Sequence, residues 1–148
     1  LKEIKKIESN KEKYLNLLLE ADPEKEAIDK YLEKGEMYII EEDGQAVCEV
    51  IVTQVDNDTC ELKNIATSPK VRGKGYASKI IEYIFEVYKN KYKRMIVGTT
   101  EKMIPFYVLN GFTKYYKTIK DFFVDNYKEE IWDVDLHCID MYYYSKEF

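Results

Sequence analysis

Val71-Arg72-Gly73-Lys74-Gly75-Tyr76-Ala77 follows the apolar stretch Ile65-Ala66 and leads into a helix-like segment beginning near Ala77. Strand, glycine-rich loop and helix together form an arrangement that binds phosphate through the backbone. Glycines let the main chain approach an anion closely, and the first turn of the helix presents N–H groups that have no intrahelical partner. Arg72 and Lys74 add positive charge at the same place. Two common versions of such a loop fit poorly. A Walker loop needs four residues between its glycines and then Lys-Ser/Thr, whereas Gly73 and Gly75 are separated by one residue and Tyr76-Ala77 follows. A dinucleotide fingerprint needs a third glycine where Ser78 stands, at the opening of a βαβ unit. ATP and NAD are therefore both disfavoured.

The stretch Ile65-Ala66-Thr67-Ser68-Pro69-Lys70-Val71-Arg72-Gly73-Lys74-Gly75-Tyr76-Ala77, followed by Phe106-Tyr107-Val108-Leu109-Asn110-Gly111-Phe112, resembles two motifs of the GCN5-related N-acetyltransferase (GNAT) superfamily in their order and on the expected elements. The likeness covers at least residues 37 to 115. A looser one, over Asp121-Phe122-Phe123 to Asp140-Met141, links the tail to a bacterial subgroup. The resemblance implies acetyl-CoA as donor, with no metal. Its pyrophosphate would lie on the backbone of Val71 to Ala77, and Lys70, Lys74 or Lys79 would be near the 3′-phosphate. The pantetheine arm would pair like an added strand with Ile65, Ala66 and Thr67. Many family members place an asparagine before the second motif; this chain has Gly98-Thr99-Thr100-Glu101 there, so Thr99 or Thr100 would serve.

Acetyl transfer to an amine needs a deprotonated nucleophile, stabilisation of the oxyanion and a proton for the leaving thiolate. Tyr107 matches the family tyrosine that would supply the proton. For the base, Glu61 shares a predicted strand with Ile65 and, by parity, a face. Asn64 could polarise a water instead, and Glu49 is the reserve candidate. The expected reaction is direct attack by a primary amine, from a small molecule or peptide, in a ternary complex. A CoA-binding sensor or regulatory protein without turnover is the alternative.

The elements that must position these residues follow from periodicity. Lys11 to Ala21 reads as an amphipathic helix, and Asp22-Pro23 as cap and first position of a second, with Ala27, Ile28, Tyr31 and Leu32 as its apolar stripe. Met37–Glu41 and Ala46–Val55 read as strands joined at Asp43-Gly44, and Cys60–Thr67 as a third. A helix carrying Ile80, Ile81, Ile84, Phe85 and Tyr88, a strand at Arg94–Thr99 and a short helix at Ile104–Leu109 come next. Asn110-Gly111 would end that helix in a left-handed cap. The aromatic remainder reads as strands. The expectation is one α+β domain over residues 1–148, a GNAT-like mixed, mainly antiparallel sheet flanked by helices.

At 148 residues the chain can bury a real core, and 34% charged residues argue against a membrane protein. No leader is visible in Leu1 to Tyr14, so a cytoplasmic location is expected. Cys48, Cys60 and Cys138 read as buried free thiols, and one histidine, His137, builds no zinc site. His137 and Cys138, adjacent in a strand, would point to opposite faces and not form a catalytic pair. From Lys70 to Arg94, eight basic residues face only Glu82 and Glu86; from Asp121 to Asp140, seven acids face only Lys128. This polarity suits an anionic donor and a cationic acceptor, while the net charge of −5 argues against nucleic acid. The run Met141-Tyr142-Tyr143-Tyr144 would suit a homodimer contact as well as a buried strand.

Overall fold

The computed structural model describes residues 3–148; Leu1 and Lys2, the start of the segment read for a leader, lie outside them. The first element is β1 (Ile4–Ile7), which the sequence reading passed over. Four residues are too few to show a period, and the strand exists because the edge of a later strand accepts it. Its lysines face outward, where Lys6 pairs with Glu36 at 2.8 Å. The predicted helix over 11–21 is broken into a 3-10 turn at Lys11–Tyr14 and a short α1 (Leu15–Leu18). Lys11 is buried, and its Nζ donates to the carbonyls of Leu32, Glu33 and Gly35. α2 (Lys25–Asp29) starts later than expected, with Glu24 rather than Asp22 at its N-cap and no side-chain cap.

β2 (Glu36–Glu42) and β3 (Gln45–Gln54) form the expected hairpin. Asp43 and Gly44 both hold positive φ, 53° and 79°, as a two-residue turn of this twist requires. β4 (Thr59–Thr67) runs back along β3. α3 (Tyr76–Tyr88), β5 (Arg94–Thr99) and α4 (Ile104–Leu109) lie where periodicity put them. The tail is less regular than expected. It holds β6 (Lys114–Ile119), a helix α5 (Phe122–Asn126), a small hairpin of β7 (Ile131–Asp133) and β8 (Leu136–Cys138), and β9 (Met141–Glu147).

The main sheet among the described residues runs β1-β2-β3-β4-β5-β9-β6, antiparallel except for the parallel pair β4–β5. Its central strands are covered on both faces, and alternation sorts their side chains. Tyr38, Ile40, Val50 and Val52 join Cys60, Leu62, Met95 and Val97 under Ile80, Ile81, Ile84 and Tyr88 of α3. Met37, Ile39 and Ile51 point the other way, to Leu18 of α1, Ile28 of α2 and Tyr31 and Leu32 just after α2. Each fully buried isoleucine contributes about 1.5–3 kcal/mol, so both layers matter to stability. Cys48, Cys60 and Cys138 are buried free thiols. No helix among the described residues is long and apolar enough to cross a membrane.

Candidate active site

The site arises where two parallel strands part. β4 pairs with β5 only from Thr59–Arg94 to Leu62–Val97. Against β3, Val52 pairs with Leu62 but Ile51 with Asn64, so Lys63 is an extra residue, a β-bulge. Beyond it β4 stays with β3 as far as the Cys48–Thr67 pair while its other edge has no strand partner. The gap opens into a cavity of about 780 Å3 lined by Ile65, Ala66 and Thr67 on one side and Gly98, Thr99 and Thr100 on the other. A Cβ at Gly98 would lie 2.4 Å from Met141 Sδ and 2.8 Å from the Tyr143 ring, so a larger residue there would have to displace those side chains.

One end of the cavity is the glycine loop. Ser68 accepts from the Lys70 N–H at 3.4 Å and opens a 3-10 turn over Pro69–Val71. Gly73 and Gly75 then hold φ of 84° and 81°, and a Cβ on either would meet no protein atom within 4 Å. That space is open to a ligand. Gly75 is the N-cap of the 13-residue α3 and supplies no side-chain acceptor, so the first-turn N–H groups remain available to an anion. Gly73, Gly75, Tyr76 and Ala77 line the cavity. The Tyr76 hydroxyl donates to Glu42 and anchors the first turn.

Arg72 lines the cavity but its guanidinium is engaged, 2.9 Å from Glu20 Oε1 and 3.3 Å from the Thr67 carbonyl. It ties the loop to the end of β4 and to the segment after α1. Val71 packs against the core beneath α3, and Lys74 is exposed; neither is among the cavity-lining residues, nor are Lys70 and Lys79. Thr100 lines the cavity with its hydroxyl donating to Asp133 Oδ2 at 3.3 Å.

Tyr107 lines the opposite wall from α4. Gly111, at φ 105°, lets the chain double back so that the Phe112 N–H donates to the Tyr107 carbonyl at 2.9 Å. Phe112 is thereby fully buried, edge-on to Tyr107 at 5.9 Å, and Phe106 meets the same ring at 5.1 Å. Burial, first of all, pushes the Tyr107 phenol well above its ordinary range. It is a proton donor, not a base, at neutral pH.

Glu61 departs from the expectation. The bulge at Lys63 reverses strand parity, so Glu61 and Ile65 point to opposite faces. Cys60 and Leu62 accordingly pack with Ile65 under α3, while Asn64 turns to the first two helices. Glu61 is outside the cavity lining and sits 3.6 Å from Lys63 Nζ. Its carboxyl is raised, by burial chiefly, with Lys63 opposing. Glu49 is fully buried, and both its carboxyl oxygens lack a hydrogen-bond partner. Burial holds it far above the carboxylate range, as a neutral acid.

Sequence reasoning missed a polar chain on the far wall. Asn64 Nδ2 donates to the Leu18 carbonyl at 3.3 Å and to Tyr31 Oη at 2.9 Å. Tyr31 donates in turn to Asp22 Oδ2 at 3.0 Å, and Tyr127 to Asp22 Oδ1 at 3.0 Å. Asp22, read as a helix cap, is instead a cavity residue, beside Phe123, Tyr127, Trp132, Asp133 and Met141 from the tail. The advance signs of this wall were the acidic balance of residues 121–140 and the tail's looser family likeness.

The profile of the acetyltransferase (GNAT) domain family matches residues 33–114. The chain is 31% identical, over 138 residues, to the uncharacterised N-acetyltransferase YvbK of Bacillus subtilis (strain 168), covering 90% of this chain and 88% of that one. Among solved structures, a GNAT family acetyltransferase from Elizabethkingia anophelis with acetyl-CoA bound superimposes with a TM-score of 0.90 at 31% identity, covering 99% and 98% of the two chains. A Bacillus subtilis acetyltransferase in complex with CoA gives 0.86 at 25% identity, covering 100% and 99%.

Proposed function

The chain belongs to the GNAT acetyltransferase family, and we propose that it acts as one domain that acetylates a primary amine by direct attack, with acetyl-CoA and amine bound together. It is an acyltransferase, and acetyl-CoA is its donor. The observation that carries the mechanism is the parting of β4 from β5, which leads from the uncapped start of α3 to the buried hydroxyl of Tyr107 within one cavity.

The residues fit the donor. Gly73, Gly75, Tyr76 and Ala77 offer backbone N–H groups and open space to a diphosphate. Ile65, Ala66 and Thr67 offer a strand edge to an amide-bearing arm, and Thr100 closes the opposite side. Arg72 holds this end together through Glu20 and Thr67. When bound, acetyl-CoA supplies an activated acetyl group. In the reaction the amine nitrogen bonds to the acetyl carbon and the C–S bond breaks. Tyr107 gives its proton to the departing sulfur, and the amine releases one proton to water, which returns Tyr107 to its starting state. Neither carboxylic candidate is assigned as base: Glu61 lies off the cavity, and Glu49 already carries its proton. The nucleophile is therefore the fraction of amine that arrives neutral.

The experiment is direct. Acetyl-CoA binding is measured by calorimetry, then thiol release is followed against an amine panel. Binding with turnover on primary amines supports the reading. Binding without turnover on any amine favours a CoA sensor, and no binding at all defeats the account.

A further inference from the structure

Resting on that reading and naming its acceptor class, we infer that the acceptor carries a second group that stays cationic at neutral pH, an ammonium or guanidinium, held by Asp22, Asp133 and the rings of Tyr127 and Trp132. The acidic and basic residues lining the cavity are Glu20, Asp22, Asp133, Lys63 and Arg72. Neither cation is ion-paired with Asp22 or Asp133: Arg72 pairs with Glu20 at 2.9 Å, and Lys63, 3.6 Å from Glu61, lies over the Tyr31 ring at 5.8 Å. No ion pair among the described residues reaches Asp22 or Asp133. Asp22 accepts from two tyrosine hydroxyls, and Asp133 from the Thr100 hydroxyl. Such neutral donors stabilise a carboxylate without cancelling its charge.

This wall is held from behind. The Asn64 amide turns its nitrogen toward the Leu18 carbonyl and the Tyr31 hydroxyl, while its own oxygen has no hydrogen-bond partner among the described residues. Tyr31, accepting from Asn64, is left to donate to Asp22. The rings are held as well. Tyr127 is stacked on Phe123 at 5.8 Å, and Trp132 lies on His137 at 4.8 Å and 12°. Tyr127 and Trp132 both line the cavity, and aromatic faces attract cations.

Two carboxylates without counter-ions in a partly enclosed space favour a ligand that brings positive charge. The reacting amine cannot supply it, because it must be neutral to attack. A second cationic group can, while a carboxylate on the acceptor would be repelled.

The test uses the purified native chain with acetyl-CoA. Unbranched α,ω-diamines and aminoalkylguanidines are compared with monoalkylamines and ω-amino acids of equal length. The dications should show kcat/KM about tenfold or more above the monoamines, with the amino acids poorest. Asp133→Asn and Asp22→Asn should each shrink that advantage to about threefold or less, mainly through the KM of the dications. Asp58→Asn, in an exposed pair with Lys93, should leave the advantage unchanged. Monoamines matching the dications, or amino acids preferred, would overturn the inference while acetyl transfer stands. Loss of acetyl-CoA binding, or no thiol release with any amine, would instead defeat the transfer reading. The panel needs no variant, so a misfolded Asp22→Asn does not obscure the answer.

Discussion

The Tyr127 hydroxyl donates to Asp22 Oδ1 at 3.0 Å and so joins residues 105 positions apart, tying the C-terminal segment to the link between α1 and α2. Asp22 is thereby a shared acceptor for two tyrosines, and both it and Tyr127 face the cavity.

Tyr127→Phe removes this donor and keeps the ring. Stability should fall by about 1 kcal/mol in urea denaturation. The acceptor KM should rise about three- to tenfold, with acetyl-CoA affinity unchanged by calorimetry. An equal loss in both affinities would mean that the tie supports the whole cavity and not the acceptor wall.

Tyr107→Phe keeps the edge-on contacts to Phe106 and Phe112 and deletes only the proton. We expect kcat to drop about a hundredfold, while CoA affinity stays within about twofold. Undiminished kcat would remove Tyr107 from the mechanism.

Gly75→Val forces a branched residue into the left-handed conformation and pushes methyl groups into the open space before α3. The strain costs roughly 1–2 kcal/mol of stability. CoA binding should weaken by about tenfold or more. Native CoA affinity in a folded variant would show that the diphosphate lies elsewhere.

Glu61→Gln should leave kcat within about twofold, since the carboxyl sits off the cavity beside Lys63. Steady-state kinetics across pH 6 to 9 provide the check; loss of an ionisation in kcat/KM on substitution would restore Glu61 as the base.

Glu49 predicts a pH dependence of stability. Burial raises its folded-state pKa well above the unfolded value, so the native chain keeps a proton that the unfolded chain releases above about pH 4.3. Native stability is therefore greatest, as far as this group decides it, below that pH. It falls as pH climbs toward the raised folded value, by at most about 1.4 kcal/mol per pH unit. Glu61, also raised, acts with the same sign. Urea midpoints of native and Glu49→Gln protein between pH 5 and 8 should show a shallower decline in the variant. Parallel declines would mean that Glu49 is not the proton holder.

Much of the donor end was legible before folding was considered, because each of its features is local. Asp43-Gly44 dictates its hairpin turn, Gly73 and Gly75 their left-handed conformations, and Asn110-Gly111 the reversal that buries Phe112. Parity failed at one residue. A bulge at Lys63 leaves no mark in composition, yet it turns Glu61 away from Ile65 and begins the parting of β4 and β5.

The sequence by itself determined the family, the donor and the conformation of the glycine loop, since spacing within a few residues fixes backbone conformation. Only the tertiary structure decided the wall proposed for the acceptor. Asp22 reads locally as a helix cap and Tyr127 as one aromatic among many, and neither has a role until long-range packing brings Tyr31 and Tyr127 to the same carboxylate. Contacts across a hundred residues depend on how sheet and helices pack, and no local spacing encodes them.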